Sequence, residues 1–369
     1  MKDPVDIAKV ASAFRLPGTF VSAAPYGSGH INDTYAVVQA CADGPRRFLL
    51  QRINEKVFKN PPALMQNVAR VCAHAQARLR LEGRNDAERR ARTLVPTRED
   101  RDWHQDELGG CWRCYLFIEG ATGHDVIRDA DQAREAARAF GGFQSLLADL
   151  PGGRLNETIP AFHHTPTRFA NFQRALRTDT HGRAAAAAEE ISFALAHAGD
   201  VGVIADAMAA GRIPERVTHN DTKLNNVLID DRTGEGICVI DLDTVMPGSA
   251  LYDFGDLVRT STSPAAEDET DLSKVEMRMP MFEALVDGYL SAAAGFLTAE
   301  ERRLLAFSGK LITLEIGLRF LTDWLEGDVY FKVRRLGHNL DRCRTQFALV
   351  RSIERQMPVM EASVAAFKR

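Results

Sequence analysis

The sequence changes its periodicity once, near residue 120, and that change limits the fold more than any other feature. Before it, residues alternate as strands do over 19–26, 33–39 and 47–53, separated by glycine-bearing turns at 27–29 and 43–45. A short amphipathic helix over 5–14 precedes them. A longer helix opens at Asn60-Pro61-Pro62, where proline suits a first helical turn, and Leu64, Val68 and Val71 follow at helical spacing. Two further strands are expected at 94–97 and 112–118. Beyond Glu119-Gly120, helical patterns run through 131–147, 167–176, 189–197, 281–290 and 298–325, and one extended island, 216–240, interrupts them. The expectation is an α+β chain: a small antiparallel-sheet lobe over residues 1–119, a glycine-marked crossover, and a large, mainly helical lobe over 120–369 that carries a short embedded hairpin.

Charge and composition narrow the class. A formal net charge of −4 lacks the basic field expected of a nucleic-acid binder. Lys2, Asp3, Asp6 and Lys9 break up the first ten residues, which do not read as a secretory signal. The apolar stretch 304–321 contains Lys310, Glu315 and Arg319 and reads as a buried helix, not a membrane span. A cytoplasmic enzyme with reduced thiols is therefore expected. Cys111 and Cys114 form one C-x-x-C, but no second pair lies at zinc-site spacing, so strand packing is the expectation for both. The adjacent His163 and His164 read as a solvated loop pair.

The chemistry concentrates in the extended island. His219-Asn220-Asp221-Thr222-Lys223-Leu224-Asn225-Asn226 fits H-x-D-x-K-x-x-N; two apolar strands and a turn follow, then Asp241-Leu242-Asp243. Phosphoryl transfer to an alcohol needs a carboxylate beside the incoming hydroxyl and oxygen ligands for the metal that bridges the nucleotide phosphates. Asp221 suits the first requirement, and Asn226 with Asp241 suits the second, because Mg²⁺ prefers hard oxygen ligands and takes few of them from protein. Asp243, on the same strand face as Asp241, is the alternative metal ligand.

These residues resemble the catalytic and metal-binding loops of the kinase-like superfamily that holds aminoglycoside phosphotransferases, choline kinases and methylthioribose kinases. Within it the match is closer to the bacterial N-acetylhexosamine 1-kinases. The resemblance spans nearly the whole chain, through Tyr26-Gly27-Ser28-Gly29-His30-Ile31-Asn32, the 216–226 segment, Ile240-Asp241-Leu242-Asp243-Thr244, Met246-Pro247-Gly248-Ser249, Tyr252-Asp253-Phe254-Gly255-Asp256, Glu315-Ile316-Gly317-Leu318-Arg319-Phe320 and Leu325-Glu326-Gly327-Asp328-Val329-Tyr330-Phe331. It implies the two-lobed protein-kinase-like fold, ATP and Mg²⁺ as cofactors, and a small sugar as phosphate acceptor at its anomeric hydroxyl. It further implies that Asp221 is the base with Lys223 beside it, that Asn226 and Asp241 hold the metal, that Asp253 buttresses the catalytic loop, and that Arg319 and Tyr330 bind the sugar. Gly27, Ser28 and Gly29 would form a flap over the phosphates, with His30 and Asn32 contacting phosphate or sugar. Phe117, Ile118 and Glu119 would form the hinge against adenine.

One departure stands out. The third strand of a kinase presents a lysine to the nucleotide phosphates, paired with a glutamate on the next helix. Here the strand reads Phe48-Leu49-Leu50-Gln51-Arg52, and the helix has no acid before Glu82. Gln51 as a neutral donor, Arg52 or Lys223 could carry the missing role. Two rival functions follow: a kinase of another small hydroxyl compound, such as an aminoglycoside or amino alcohol, or a catalytically silent nucleotide-binding module. The acidic cluster 267–271 would favour a cationic acceptor, but it reads as a loop.

Overall fold

The computed structural model describes residues 5–27, 29 and 31–368. The first half-turns of structure are α1 (Ile7–Ser12), β1 (Thr19–Pro25), β2 (Asp33–Cys41) and β3 (Gly44–Arg52). Helices α2 (Pro61–Leu81) and α3 (Ala87–Arg90) follow, then β4 (His104–Gln105) and β5 (Cys111–Leu116). The strands form one antiparallel sheet in the order β1-β2-β3-β5-β4. Val37, Phe48, Leu50 and Cys114 fill one face and pack with Val10 and Ala11 of α1 and with Phe14 just beyond it. The opposite face meets α2, whose start is fixed by Asn60: its side chain accepts the Ala63 N–H at 3.1 Å, ahead of two prolines that need no such partner. The strand expected at 94–97 is not one. Only isolated bridges, Leu94 to Tyr115 and Phe14 to Thr97, form there, since Pro96 offers no N–H to a ladder.

After Gly120, which takes a positive φ of 63°, come β6 (Ala121–Gly123), α4 (Ala130–Leu147), α5 (Thr165–Thr178), α6 (Ala188–Ala196) and α7 (Val203–Ala209). The extended island becomes β7 (Arg216–Thr218), β8 (Val227–Asp230), β9 (Gly236–Val239) and β10 (Met246–Gly248). Strands β6, β8 and β9 make a small sheet, and β7 pairs with β10. The rest is helical: α8 (Ala250–Ser261), α9 (Met279–Ala293), α10 (Ala299–Arg303), α11 (Leu305–Leu325) and α12 (His338–Ala366). The single helix expected over 298–325 is two. A Thr298/Glu301 capping box opens α10, and the Leu304 N–H, shared between the carbonyls of Glu300 and Glu301 at 3.1 and 3.2 Å, tightens and ends it. The fold is thus mixed α+β, an antiparallel sheet followed by a helical region, as the periodicity leads one to expect.

Helices α8 and α11 approach closely because glycine sits at both contacts. A Cβ on Gly255 would lie 2.4 Å from the Ser308 carbonyl oxygen, and one on Gly309 would lie 2.7 Å from Cγ1 of Val258. That contact fixes Asp253 on α8 relative to Glu315 and Arg319 on α11.

Candidate active site

The segment from Thr218 to Asn226 is held from behind by one buried carboxylate. Asp253 accepts the backbone N–H of His219 at 2.8 Å and of Asn220 at 2.7 Å, and the Gln144 amide at 2.5 Å. Its own carbonyl accepts the Thr222 hydroxyl at 2.6 Å. Burial pushes the Asp253 carboxyl up, and these donors offset it only in part. Asn220 takes a left-handed φ of 64°, which asparagine tolerates better than most residues, and its amide donates to the Thr244 carbonyl at 2.9 Å. His219 bonds the Ile240 carbonyl through Nε2 at 2.9 Å, and its Nδ1 accepts the Asp221 N–H at 3.3 Å. A carbonyl on one nitrogen and an N–H on the other select the neutral Nε2–H tautomer. His219 thereby ties the loop bearing Asp221 to the strand end bearing Asp241.

Asp221 faces two donors. Lys223 Nζ lies 3.0 Å from Oδ2, and the Asn226 amide donates to the same oxygen at 2.9 Å and to the Asp221 carbonyl at 2.8 Å. Burial works against the Asp221 charge, but the Lys223 ammonium, His219 and the Asn226 amide together outweigh it, so the carboxyl sits below its ordinary range. Lys223 is raised in turn, Asp221 overcoming the burial that would lower it. Asp241 has a left-handed φ of 57° and is exposed to solvent, although protein atoms crowd round its carboxyl. Burial first, then the nearby Asp243 and Asp221 carboxylates, push it up to about 6. Among the described residues Asp241 has no hydrogen-bond or ion-pair partner.

Asp243 differs. It is 2% exposed, its Oδ1 meets Arg113 in a charge contact, and its Oδ2 accepts the Asn32 amide at 2.6 Å. Arg113 is 1% exposed and lies directly across the strands from Gln51, whose Oε1 it also holds at 2.6 and 2.9 Å. Gln51 donates from its amide nitrogen to Thr34 Oγ1 at 3.0 Å. Burial opposes the Arg113 charge, yet Asp243 more than restores it, and Asp241 adds to the effect. Sequence reasoning passed over Arg113. The available signal was one arginine between Trp112 and Cys114 in an otherwise apolar strand.

Gly27 has φ 83° in the turn after β1, and a Cβ on Gly29 would meet open space. Ser28 and His30, named with them, lie outside the described residues. Phe117 lies 5.2 Å from the ring of Tyr26, the residue before that turn, and under the Arg47 guanidinium at 3.8 Å. Ile118 is buried. Arg47 also pairs with the Glu119 carboxylate, and Arg89 donates to the carbonyls of Glu119 and Gly120, both at 2.9 Å. These contacts fix the crossover from the sheet to the helical region.

Arg319 projects among aromatic rings, its guanidinium 5.5 Å from Phe162, 5.5 Å from Phe331 and 5.9 Å from Tyr330. Glu315, one turn earlier, does not pair with it. Instead Glu315 Oε1 lies 2.8 Å from His163 Nδ1, and its Oε2 accepts the Thr165 hydroxyl at 2.6 Å. His163 is buried, which corrects the solvated reading for that residue; His164 is exposed, as expected, and caps α5. The other His163 nitrogen, Nε2, lies 3.0 Å from the Asn220 carbonyl. With an acceptor on each nitrogen, both must donate, so the ring is an imidazolium. Burial would lower its pKa, but Glu315 outweighs burial and raises it, while Glu315 is held low. His163 therefore bridges the Asp221 loop to the helix carrying Arg319.

Among the described residues one other group resembles a metal site: His197, Asp200 and Glu354. Lys310 occupies its centre, 2.9 Å from Asp200 and 3.3 Å from Glu354, which accounts for the acids without an ion. Cys111 and Cys114 are buried free thiols in β5. Among the described residues no helix is long and apolar enough to cross a membrane.

Comparison with known proteins bears on the family and the fold. Residues 22–301 match a family described as the phosphotransferase enzyme family, APH. Among solved structures, an aminoglycoside phosphotransferase from Alicyclobacillus acidocaldarius superposes with a TM-score of 0.61 at 11% identity, covering 100% of this chain and 98% of that one. A microcompartment-associated aminopropanol kinase gives 0.58 at 16% identity over 96% and 98% of the two chains. A spectinomycin phosphotransferase in complex with ADP and spectinomycin gives 0.51 at 12% identity over 91% and 94%. At these identities the likeness is one of fold.

Proposed function

Because this chain belongs to the phosphotransferase enzyme family, we propose that it is an ATP- and Mg²⁺-dependent small-molecule kinase, and that its acceptor is the anomeric hydroxyl of an N-acetylhexosamine. The observation that carries the kinase reading is the grouping of Asp221, Lys223 and Asn226 beside Asp241, a carboxylate with no protein partner among the described residues. Asp241, together with the Asn226 side-chain oxygen left free when its amide turns to Asp221, forms the hard-oxygen set a magnesium ion takes. Asp243 fits that role less well, both its oxygens being engaged by Arg113 and Asn32. Bound there, Mg²⁺ with ATP would supply the γ-phosphoryl group and neutralise charge on the phosphates.

The chain's own residues do the rest. Asp221, ionised and anchored by Asn226 and Lys223, orients the acceptor hydroxyl and takes its proton late, because a loose transition state rewards positioning over a strong base. Gly27, Ser28 and Gly29 form the flap, and Phe117, Ile118 and Glu119 the adenine hinge, within a nucleotide-binding lobe over 1–119; residues 120–369 form the catalytic and acceptor-binding lobe. Gln51 acts through Arg113, which brings a cation from the neighbouring strand to the place left without a lysine. Asn32 steadies Asp243, and His30 lies in the segment that would close on phosphate or sugar. Arg319 and Tyr330 hold the acceptor. A second arginine, Arg168, is lowered by burial and then by the Arg319 charge. Two neighbouring guanidiniums repel a polycationic acceptor, which favours a neutral sugar over an aminoglycoside.

The test is product analysis with ATP and Mg²⁺ across N-acetylglucosamine, N-acetylgalactosamine, glucose, an aminopropanol and an aminoglycoside. The expected product is a sugar 1-phosphate, seen as phosphorus coupling to the anomeric proton in NMR. A 6-phosphate, or turnover of the amines alone, would overturn the acceptor assignment and leave the kinase reading in place.

A further inference from the structure

A groove behind the metal loop, away from the residues assigned above, contains a buried arginine without an ionic partner. Arg92 is 7% exposed. Among the described residues its guanidinium has no carboxylate or hydrogen-bond acceptor, and its one polar contact is the face of the Tyr115 ring at 3.9 Å. It lines a cavity of about 220 Å³ between α2, α4 and β9. Part of the wall is apolar, with Val71 and Ala75 from α2, Phe143 and Leu146 from α4, and Val239 and Leu242, which bracket Asp241; Glu82, Arg84 and Ser145 line the remainder. Arg90 and Arg138 line the same cavity but are held by Glu235, with Asp86 and Glu135 as further partners.

The Arg92 guanidinium opens onto the groove with no carboxylate of its own, so an anion there would gain a charged partner of which the aromatic face supplies only part. An apolar cavity of roughly 150 Å³ takes benzene. We propose that this groove binds a small amphiphilic acid, an apolar body bearing one carboxylate that pairs with Arg92. An occupant would touch Leu242, the residue after Asp241. The inference concerns binding alone and stands apart from phosphoryl transfer.

The probe is phenylacetate, titrated into the full chain carrying labelled Val and Leu methyl groups and followed by NMR. Saturable shifts of the Val71, Val239 and Leu242 methyls are expected. Neutral phenylacetamide and the Arg92→Met protein should each weaken binding by about 10-fold or more, as for loss of a charged hydrogen bond. Gly142, also on α4 and lining the cavity, has open space where a Cβ would stand. Gly142→Leu should therefore fill the groove, keep Arg92 and abolish binding, and it decides the matter if Arg92→Met does not fold. Equal binding of acid and amide, equal shifts with inorganic phosphate alone, unmoved groove methyls, or full binding by Gly142→Leu would each overturn the proposal.

Discussion

The loop around Asp221 and the wall around Arg319 are built in opposite ways. The loop is over-determined: Asp253 fixes two of its N–H groups, His219 ties it to the Asp241 strand end, and the Thr244 carbonyl accepts the Asn220 amide while its hydroxyl donates to the His219 carbonyl. The acceptor wall is open. Tyr330 is 67% exposed, and Val329 and Leu336 near it are 74% and 84% exposed. Asp323 organises the start of that segment, accepting the N–H groups of Val329, Tyr330 and Phe331. On the function proposed above, chemistry that demands sub-ångström positioning would sit on the rigid side, and acceptor choice where substitution disturbs little else. Mutations on the first side should destroy function or fold outright; those on the second should tune one constant.

The largest effect is expected at Asp221. Asp221→Asn keeps the shape but removes the proton acceptor, and loss of a positioned base lowers turnover by about 10²–10⁴-fold. Single-turnover rates with saturating nucleotide would check this, and near-native turnover would break the rigid-side argument at its centre. Next comes the pair two residues apart. Asp243→Ala leaves Arg113 buried beside no counter-charge, which destabilises by about 3–5 kcal/mol, measured as a lowered denaturant midpoint. Asp241→Ala should leave stability intact or raise it and remove Mg²⁺-dependent binding of an ATP analogue in calorimetry. A reversed outcome would move the metal site to Asp243.

Asp241 also predicts a pH dependence. Its folded-state pKa, about 6, lies above the ordinary carboxyl value, so ionising it in the metal-free protein disfavours folding. This contribution to stability is present below about pH 4 and is lost as pH rises through 6. The metal needs the ionised form, so Mg²⁺-dependent affinity should fall about tenfold per unit below pH 6. Both trends should flatten in Asp241→Asn.

How much of this the sequence could reveal follows the same division. The 219–226 and 241–243 elements were legible because phosphoryl transfer dictates residue types at short spacings, and because strands and turns between them carry their own signals. The contacts that close over long separations were not. His163 pairs with Glu315 from far along the chain, and nothing local to His163-His164-Thr165 announces a buried imidazolium. Arg113 satisfies Gln51 and Asp243 only because β3 and β5 are neighbours, a pairing that the intervening 60 residues conceal. Helix α12, with Pro358 inside it, left no clear periodic signal before the structure placed it against α11.

On the open side, Arg319→Ala should raise the KM for an N-acetylhexosamine by roughly 10–150-fold, the loss of a charged hydrogen bond, with the KM for ATP within a few-fold. The smallest and most discriminating effect belongs to Tyr330. Its ring lies 5.9 Å from the Arg319 guanidinium and is largely exposed, so it contributes a solvated cation–π contact of about 0.5–1 kcal/mol. Tyr330→Ala should then raise the acceptor KM only about 2–5-fold if its role is to steady Arg319, and Tyr330→Phe should change it less. In an Arg319→Ala background the Tyr330→Ala effect should vanish, since the contact it removes is already gone. A full, additive effect in the double variant would mean that the ring meets the acceptor directly. The open wall would then recognise substrate through two independent side chains and not through one arginine held in place by its neighbours.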